Sequence, residues 1–267
     1  MSEKEMLDLT TEVAKEIAKN VYDDAGKPVA KPTGELVGLI PRAIKAALSP
    51  LEKWILQREY NVAETKKLLE EKLQNTPPEL IESPEPHIAV PAMQYISYCM
   101  DNEDLREMYA NLLANSMNKV VKNGVHPGFV EIIKQLSPDE AKILRYLYEN
   151  PLVPTISIRV HKKPNGVVIV QHLFTNIMEL CKCENVHSYE KATDNLMRLG
   201  LVKVPNDECL TDKTQYEPLK NHPYILEKKK NLEALTTVAK VDFIEGHVEL
   251  SHFGNSFCSI CLETKKL

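Results

Sequence analysis

The sequence predicts a mainly α fold in two parts, a helical domain over residues 1–149 and an α+β module over residues 150–267. Three observations predict it. Apolar residues recur at helical spacing between capping signals as far as Glu149. Beyond Asn150 the pattern switches to strand-like alternation, with Ile156, Ile158 and Val160 set between Ser157, Arg159 and His161. The length, 267 residues, exceeds one minimal domain and leaves ample apolar surface for two cores.

Residues 5–20 predict an amphipathic helix with Met6, Leu9, Val13, Ile17 and Ala18 on one side, ending before Asp23-Asp24-Ala25-Gly26. Residues 34–72 predict two helices: Pro41 and Pro50 interrupt the pattern, and Ser49-Pro50-Leu51-Glu52 is a helix-start signature. Five prolines in the seventeen residues from Asn75 to Pro91 impose an extended connector. A helix from Pro91 to Met100 follows. Asp101 caps the next one, whose face is marked by Tyr109, Leu112, Leu113, Met117 and Val120 and whose end is set by Lys122-Asn123-Gly124. His126-Pro127-Gly128 is a rigid turn, Phe129, Ile132, Ile133 and Leu136 mark a short helix, and Ser137-Pro138-Asp139-Glu140 is a capping box with proline at the first helical position.

In the second part, Lys163-Pro164-Asn165-Gly166 joins two alternating runs into a β-hairpin. Leu173, Ile177, Leu180 and Cys181 mark a helix. Ser188 caps another carrying Tyr189, Ala192, Leu196 and Leu199, which Gly200-Leu201 stops with a left-handed turn. Residues 201–204 and 247–250 are strand-like, and Phe253, Phe257, Ile260 and Cys261 make a last helix. The order of helix, strand, insertion, strand and helix over residues 189–261 resembles a winged helix, so the module is expected to be winged-helix-like.

Composition excludes several function classes. Aromatic residues make up 6% of the chain, too few for a stacking-rich nucleic-acid platform. The net charge of −5 falls in residues 1–135, while residues 136–267 balance, so neither part carries the basic excess of a strong phosphate binder. Residues 1–20 alternate acids and bases without an apolar core, unlike a secretory signal, and the longest uncharged run, residues 86–100, is too short and too rich in proline to span a membrane. The expected location is cytoplasmic or peripheral to the inner membrane, with six cysteines as free thiols.

The segment Arg106-Glu107-Met108-Tyr109-Ala110-Asn111-Leu112-Leu113-Ala114, followed by the run from His126-Pro127-Gly128 through Ser137-Pro138-Asp139-Glu140-Ala141, resembles the hallmark of the abortive-infection alpha family of bacterial proteins. Leu48-Ser49-Pro50-Leu51-Glu52, Thr76-Pro77-Pro78-Glu79 and Pro84-Glu85-Pro86 are similar too. The resemblance covers about residues 21–147 and implies a role in defence against phage. It supplies no catalytic residues.

Candidate chemistry is sparse. Cys258 and Cys261 share a helical face and are the metal-ligand candidates, although a small thiol on such a face is ordinarily core. Cys181 and Cys183 fall in a predicted helix, where positions two apart diverge by roughly 200°. His126, with Glu131 or Asp139 to orient it, could serve as a general base, yet a histidine inside a rigid turn more simply satisfies backbone groups. None of the six arginines is followed four to six residues later by histidine, the signature of helical defence ribonucleases. Asp212 with Glu227-Lys228-Lys229 matches a metal-dependent nuclease weakly, because that run reads as a solvated helix. No phosphate loop occurs and no cofactor is expected.

For nucleic acid, the exposed face of residues 189–199 offers Lys191, Asn195 and Arg198 to base edges. For a membrane surface or a partner, residues 37–58 form a basic amphipathic stretch in which Arg42 and Lys45 accompany Trp54 and Ile55. The expected function is a non-enzymatic anti-phage component acting through contacts with a protein partner or phage component. A toxic effector that engages the membrane through residues 37–58, or a winged-helix nucleic-acid-binding regulator, is the alternative.

Overall fold

The computed structural model describes residues 59–184 and 189–263. The helices expected before Glu59, the stretch 37–58 and the Ser188 cap lie outside them. Contacts divide the chain into two compact units, one of residues up to Leu136 together with Ser259 onward, the other Ser137–Cys258.

In the first unit α1 (Glu59–Leu73) buries Thr65, Leu69 and Leu73 and carries the pairs Lys66–Glu70 and Lys67–Glu71 on its outer side. A 3₁₀ turn at Pro78–Leu80 follows, and Glu82 N donates to Met117 O at 2.8 Å while Lys119 N donates to Leu80 O at 2.9 Å, so the extended connector is sewn to the chain beyond α3. Helix α2 (Pro86–Ile96) starts five residues earlier than the sequence predicts. Pro86 opens it with a preset φ, and Pro91 sits inside at the cost of a single backbone bond. Helix α3 (Glu103–Ser116) is capped by Asn102, whose Oδ1 accepts from Leu105 N at 3.0 Å, rather than by Asp101. It ends before Val120, which is exposed. The reason is the bridge between Ile81 and Asn118, which takes the chain out of the helix toward a 3₁₀ turn at Lys122–Gly124. Helix α4 (Gly128–Lys134) buries Phe129, Val130, Ile132 and Ile133. Tyr109, Met108, Leu112 and Leu113 form the centre of this core.

The second unit opens with α5 (Pro138–Glu149). Its capping box is complete: Glu140 N donates to Ser137 Oγ at 3.3 Å and Ser137 N donates to Glu140 Oε2 at 2.6 Å. Strands β1 (Val153–Lys162) and β2 (Val167–Phe174) form the expected hairpin. Next come α6 (Ile177–Leu180), α7 (Tyr189–Arg198), the two-residue β3 (Val202–Lys203), a 3₁₀ turn at Lys213–Tyr216, α8 (Glu217–Lys220), α9 (Pro223–Glu233), β4 (Val238–Leu250) and α10 (His252–Cys261). Gly200, at φ +72°, ends α7 as predicted, with Leu201 N bonded to Leu196 O and Gly200 N to Met197 O, both at 2.9 Å. Gly254 sits so close to Leu201 that a Cβ there would lie 1.9 Å from its carbonyl oxygen.

The mainly α, winged-helix-like expectation is overturned by the sheet. It is four-stranded and antiparallel in the order β2-β1-β4-β3, curled into a half-barrel, and the fold mixes helix and sheet. Strand β4 runs for 13 residues, where the sequence shows strand character only over 247–250, and it pairs with β1 from Val153↔Val248 to Lys162↔Val238. Its first half lacks clean alternation because Lys240, Asp242 and Glu245 are charged. Asp242 is paired with Arg159 of the neighbouring strand and Glu245 with Lys213 and Lys220, while Lys240 meets Asp242 on its own strand.

Candidate functional site

The hallmark turn is built around His126. Its Nδ1 accepts from Gly128 N at 3.0 Å, and its ring lies 5.8 Å from that of Phe129. A Cβ at position 128 would come within 3.0 Å of that same nitrogen, so glycine and histidine fit each other. This engages one ring nitrogen in shaping the turn, the use expected of a histidine there.

Beside the turn is a cleft of about 260 Å³ in the first unit. The connector supplies Glu82, Ser83 and Glu85, α2 supplies His87, and the far wall supplies Lys122, Asn123 and Pro127. Lys122 and Glu82 form an ion pair across it, and His87 Nδ1 lies 3.4 Å from Glu85 Oε2. Ser116, also in the wall, has its hydroxyl directed to Leu113 O at 2.7 Å. The cleft can therefore receive a polar group by hydrogen bonding and charge.

Two asparagines on the buried face of α3 have a structural use that sequence reasoning missed. Asn111 Nδ2 donates to Cys261 O at 3.0 Å, and Asn115 Nδ2 donates to Ile260 O and Glu263 O, both at 2.7 Å. They close the C-terminal carbonyls of the last helix, which have no partner within it. The available signal was a pair of amides four residues apart on an otherwise apolar face.

In the second unit a buried glutamine joins three elements. Gln171 of β2 is 4% exposed; its Nε2 donates to Glu190 Oε1 at 2.6 Å and to the Tyr189 hydroxyl of α7. Its Oε1 accepts from Tyr224 Oη at 2.9 Å and from Lys228 Nζ, both on α9. Tyr189 Oη donates to His172 O at 2.7 Å, and burial holds its phenol well above the usual range. Phe174 packs against the rings of Tyr189, His222 and Tyr224 at 5.1 to 5.7 Å, and His222 Nε2 meets Glu179 Oε1 at 2.9 Å. The cluster is a hydrogen-bond network that ties α7 and α9 to the sheet, with His222 Nδ1 buried and without a hydrogen-bond partner among the described residues.

The residues proposed for base edges are placed differently from one another. Lys191 is exposed, Asn195 Nδ2 donates to the buried Glu140 at 2.9 Å, and Arg198 donates to Asn195 Oδ1 at 2.7 Å. Two of the three thus serve contacts within the unit. Cys258 and Cys261 are both fully buried, and desolvation pushes the Cys258 thiol up to about 12. Cys181 and Cys183 lie beyond α6 rather than inside a helix, separated by Lys182 at φ +53°. Burial pushes them up to about 11 and about 12, and Cys183 Sγ lies 3.8 Å from Asp139 O. Asp212 caps a 3₁₀ turn through Thr214 N at 3.0 Å, while Glu227, Lys228 and Lys229 lie on α9, so no strand aligns them. Among the described residues no three His, Cys, Asp or Glu side chains are placed to hold a metal ion. Arg42, Lys45, Trp54 and Ile55 fall outside the described residues.

The model of the abortive infection alpha family matches residues 57–261, which includes the hallmark turn, both clusters and the whole sheet. The chain belongs to that family. A role related to abortive infection, the defence of bacteria against phage, follows from membership. No curated protein matches the chain. Among solved structures it is similar to an uncharacterized protein from the hydrocarbon-degrading marine bacterium Alcanivorax borkumensis SK2, at 15% identity and a TM-score of 0.36, over 49% of this chain and 90% of that one. No helix among the described residues of this family member is long and apolar enough to cross a membrane.

Proposed function

We propose that the chain acts in phage defence as a non-enzymatic component that works through contacts with a protein partner or phage component. Family membership over residues 57–261 carries the defence part of this reading. Support for contact over chemistry comes from where the ionisable groups are spent. His126 Nδ1 shapes its own turn, Glu140 holds Ser137 and Asn195, and Glu245 holds Lys213 and Lys220. Apolar surface is available for a partner: Leu180 is 50% exposed and Tyr224 41%, next in sequence or nearly so to the joined pair Glu179 and His222.

Expression in a bacterial host should lower phage yield, and purified protein should hydrolyse neither nucleic acid nor nucleotide. Leu180→Asp should remove protection while the far-ultraviolet circular dichroism stays that of the wild type. Unchanged yield across a broad phage panel would sink the defence reading, and hydrolysis by the pure protein would sink the non-enzymatic one. Leakage of anionic liposomes that disappears when Trp54 and Ile55 are made polar would replace partner contact by membrane damage.

A further inference from the structure

Five of the twelve lysines of the second unit pair with a carboxylate away from the β1–β2 turn. Lys203 meets Glu249 at 2.8 Å, Lys213 and Lys220 meet Glu245 at 2.9 and 3.0 Å, Lys142 meets Asp139 at 3.7 Å and Lys229 meets Glu233 at 3.8 Å. At the end of the sheet by that turn, cations gather around a single carboxylate. Antiparallel pairing sets Arg159 opposite Asp242 and His161 opposite Lys240. Arg159, His161 and Lys240 all converge on Asp242, at 2.8, 3.2 and 3.4 Å. Immediately beyond, Lys162 and Lys163 are exposed, and among the described residues neither has a carboxylate partner. Four permanent cations, Arg159, Lys162, Lys163 and Lys240, are set against one carboxylate. The even charge of residues 136–267 thus conceals a local basic surplus.

The same end stands clear of its surroundings. Every residue from Lys162 to Val167 is exposed. Its base is anchored, since Lys163 N donates to Thr237 O at 2.8 Å and Lys162 N to Gly166 O at 2.8 Å. A narrow, anchored β-turn with unmatched lysines suits a polyanion whose charges are regularly spaced on a grooved surface.

We propose that the tip of the β1–β2 hairpin is a contact surface for the phosphate backbone of duplex nucleic acid. The occupant is assigned by what accompanies the charge. An anionic membrane holds a basic segment firmly only when an apolar anchor inserts beside it. Within residues 162–167 Val167 is the one large exposed apolar side chain, and a single valine is little apolar surface for such an anchor. Contacts of this kind go to phosphates, so binding is independent of sequence and steeply dependent on salt. This reading goes beyond partner contact and uses residues separate from Lys191, Asn195 and Arg198.

The full chain is tested for retention of a short fluorescent duplex of mixed sequence by anisotropy across a salt series. Binding is expected at about 50 mM salt, weakening as salt rises. In Lys162→Glu/Lys163→Glu it should be at least about tenfold weaker, with the slope of log affinity against log salt reduced by about 2. Both side chains are exposed, so circular dichroism should be unchanged. Lys191→Glu, an equal charge reversal per residue on α7, should leave the slope as in the wild type. Failure of the wild type to retain duplex at that salt overturns the proposal. So does a double variant that binds like the wild type, or a Lys191→Glu loss as large as that of the double variant. Retention on phosphatidylglycerol vesicles with no retention of duplex assigns the tip to a membrane and overturns it equally.

Discussion

Removing the Asn115 amide should destabilise the protein by about 2 kcal/mol, an estimate from one fully buried hydrogen-bonded acceptor left unpaired. The magnitude follows from the two carbonyls that the amide serves. Ile260 is 4% exposed, so its oxygen, 2.7 Å from Asn115 Nδ2, loses its partner without access to water. Glu263 is an exposed residue, and its oxygen can be hydrated when the amide is gone, so that bond adds less. Asn115→Asp should be worse than Asn115→Ala at neutral pH, because a buried carboxylate would face two carbonyl oxygens at the negative end of a helix. Its pKa would be raised by burial. A raised carboxyl pKa means that protonation favours the folded state, so Asn115→Asp should regain stability as pH falls through the raised folded value, and the gap to Asn115→Ala should be at its smallest by about pH 4. The assay is urea unfolding followed by circular dichroism at two pH values, with Asn165→Ala on the exposed hairpin turn as control. An Asn115→Ala midpoint equal to the control, or an Asn115→Asp variant more stable than Asn115→Ala at neutral pH, would refute the reasoning.

Leu112 is fully buried, and Leu112→Ala should cost about 2 to 5 kcal/mol through the cavity it leaves, read as a lower urea midpoint. Arg159, the first of its partners, holds the Asp242 carboxyl well below the usual carboxylate range. A depressed folded pKa gives stability that is present above about pH 4 and is lost as pH falls through the folded value, so Asp242→Asn should flatten the acid limb of a thermal melting profile. A variant with the wild-type acid limb would mean that the pair contributes nothing to folding. Alkylation followed by mass spectrometry should modify the exposed Cys209 first and the buried Cys258 and Cys261 only on unfolding. Early labelling of Cys258 in native protein would contradict its burial.

Local rules were legible wherever the deciding contact lies within a few residues. The Ser137 and Glu140 box, the Gly200 stop and the hairpin turn at residues 163–166 each stand where the residue types placed them. Leu112, Leu113, Ile132 and Ile133, all read from helical spacing, are buried. The rule failed where two local signals compete. Asp101 and Asn102 can both cap, and the choice of Asn102 is visible only in its bond to Leu105 N at 3.0 Å. Val120 fits the helical pattern, yet the bridge from Ile81 to Asn118 ends the helix first.

By itself, then, the sequence determined which segments turn, cap and bury, and it contained the hallmark that marks the family, because such features depend on neighbours a few positions apart. Tertiary structure decided the rest. Strand β4 is a strand from residue 238 because β1 supplies its hydrogen bonds, with Arg159 reaching Asp242 across 83 positions. Asn111 and Asn115 read as misplaced polar residues until the end of α10 arrives about 150 positions later to accept their protons. A charged or amide side chain announces only that it needs a partner. Which partner it finds depends on chain segments brought together by folding, and that choice made the sheet, the closed networks and the unmatched cations of the hairpin tip.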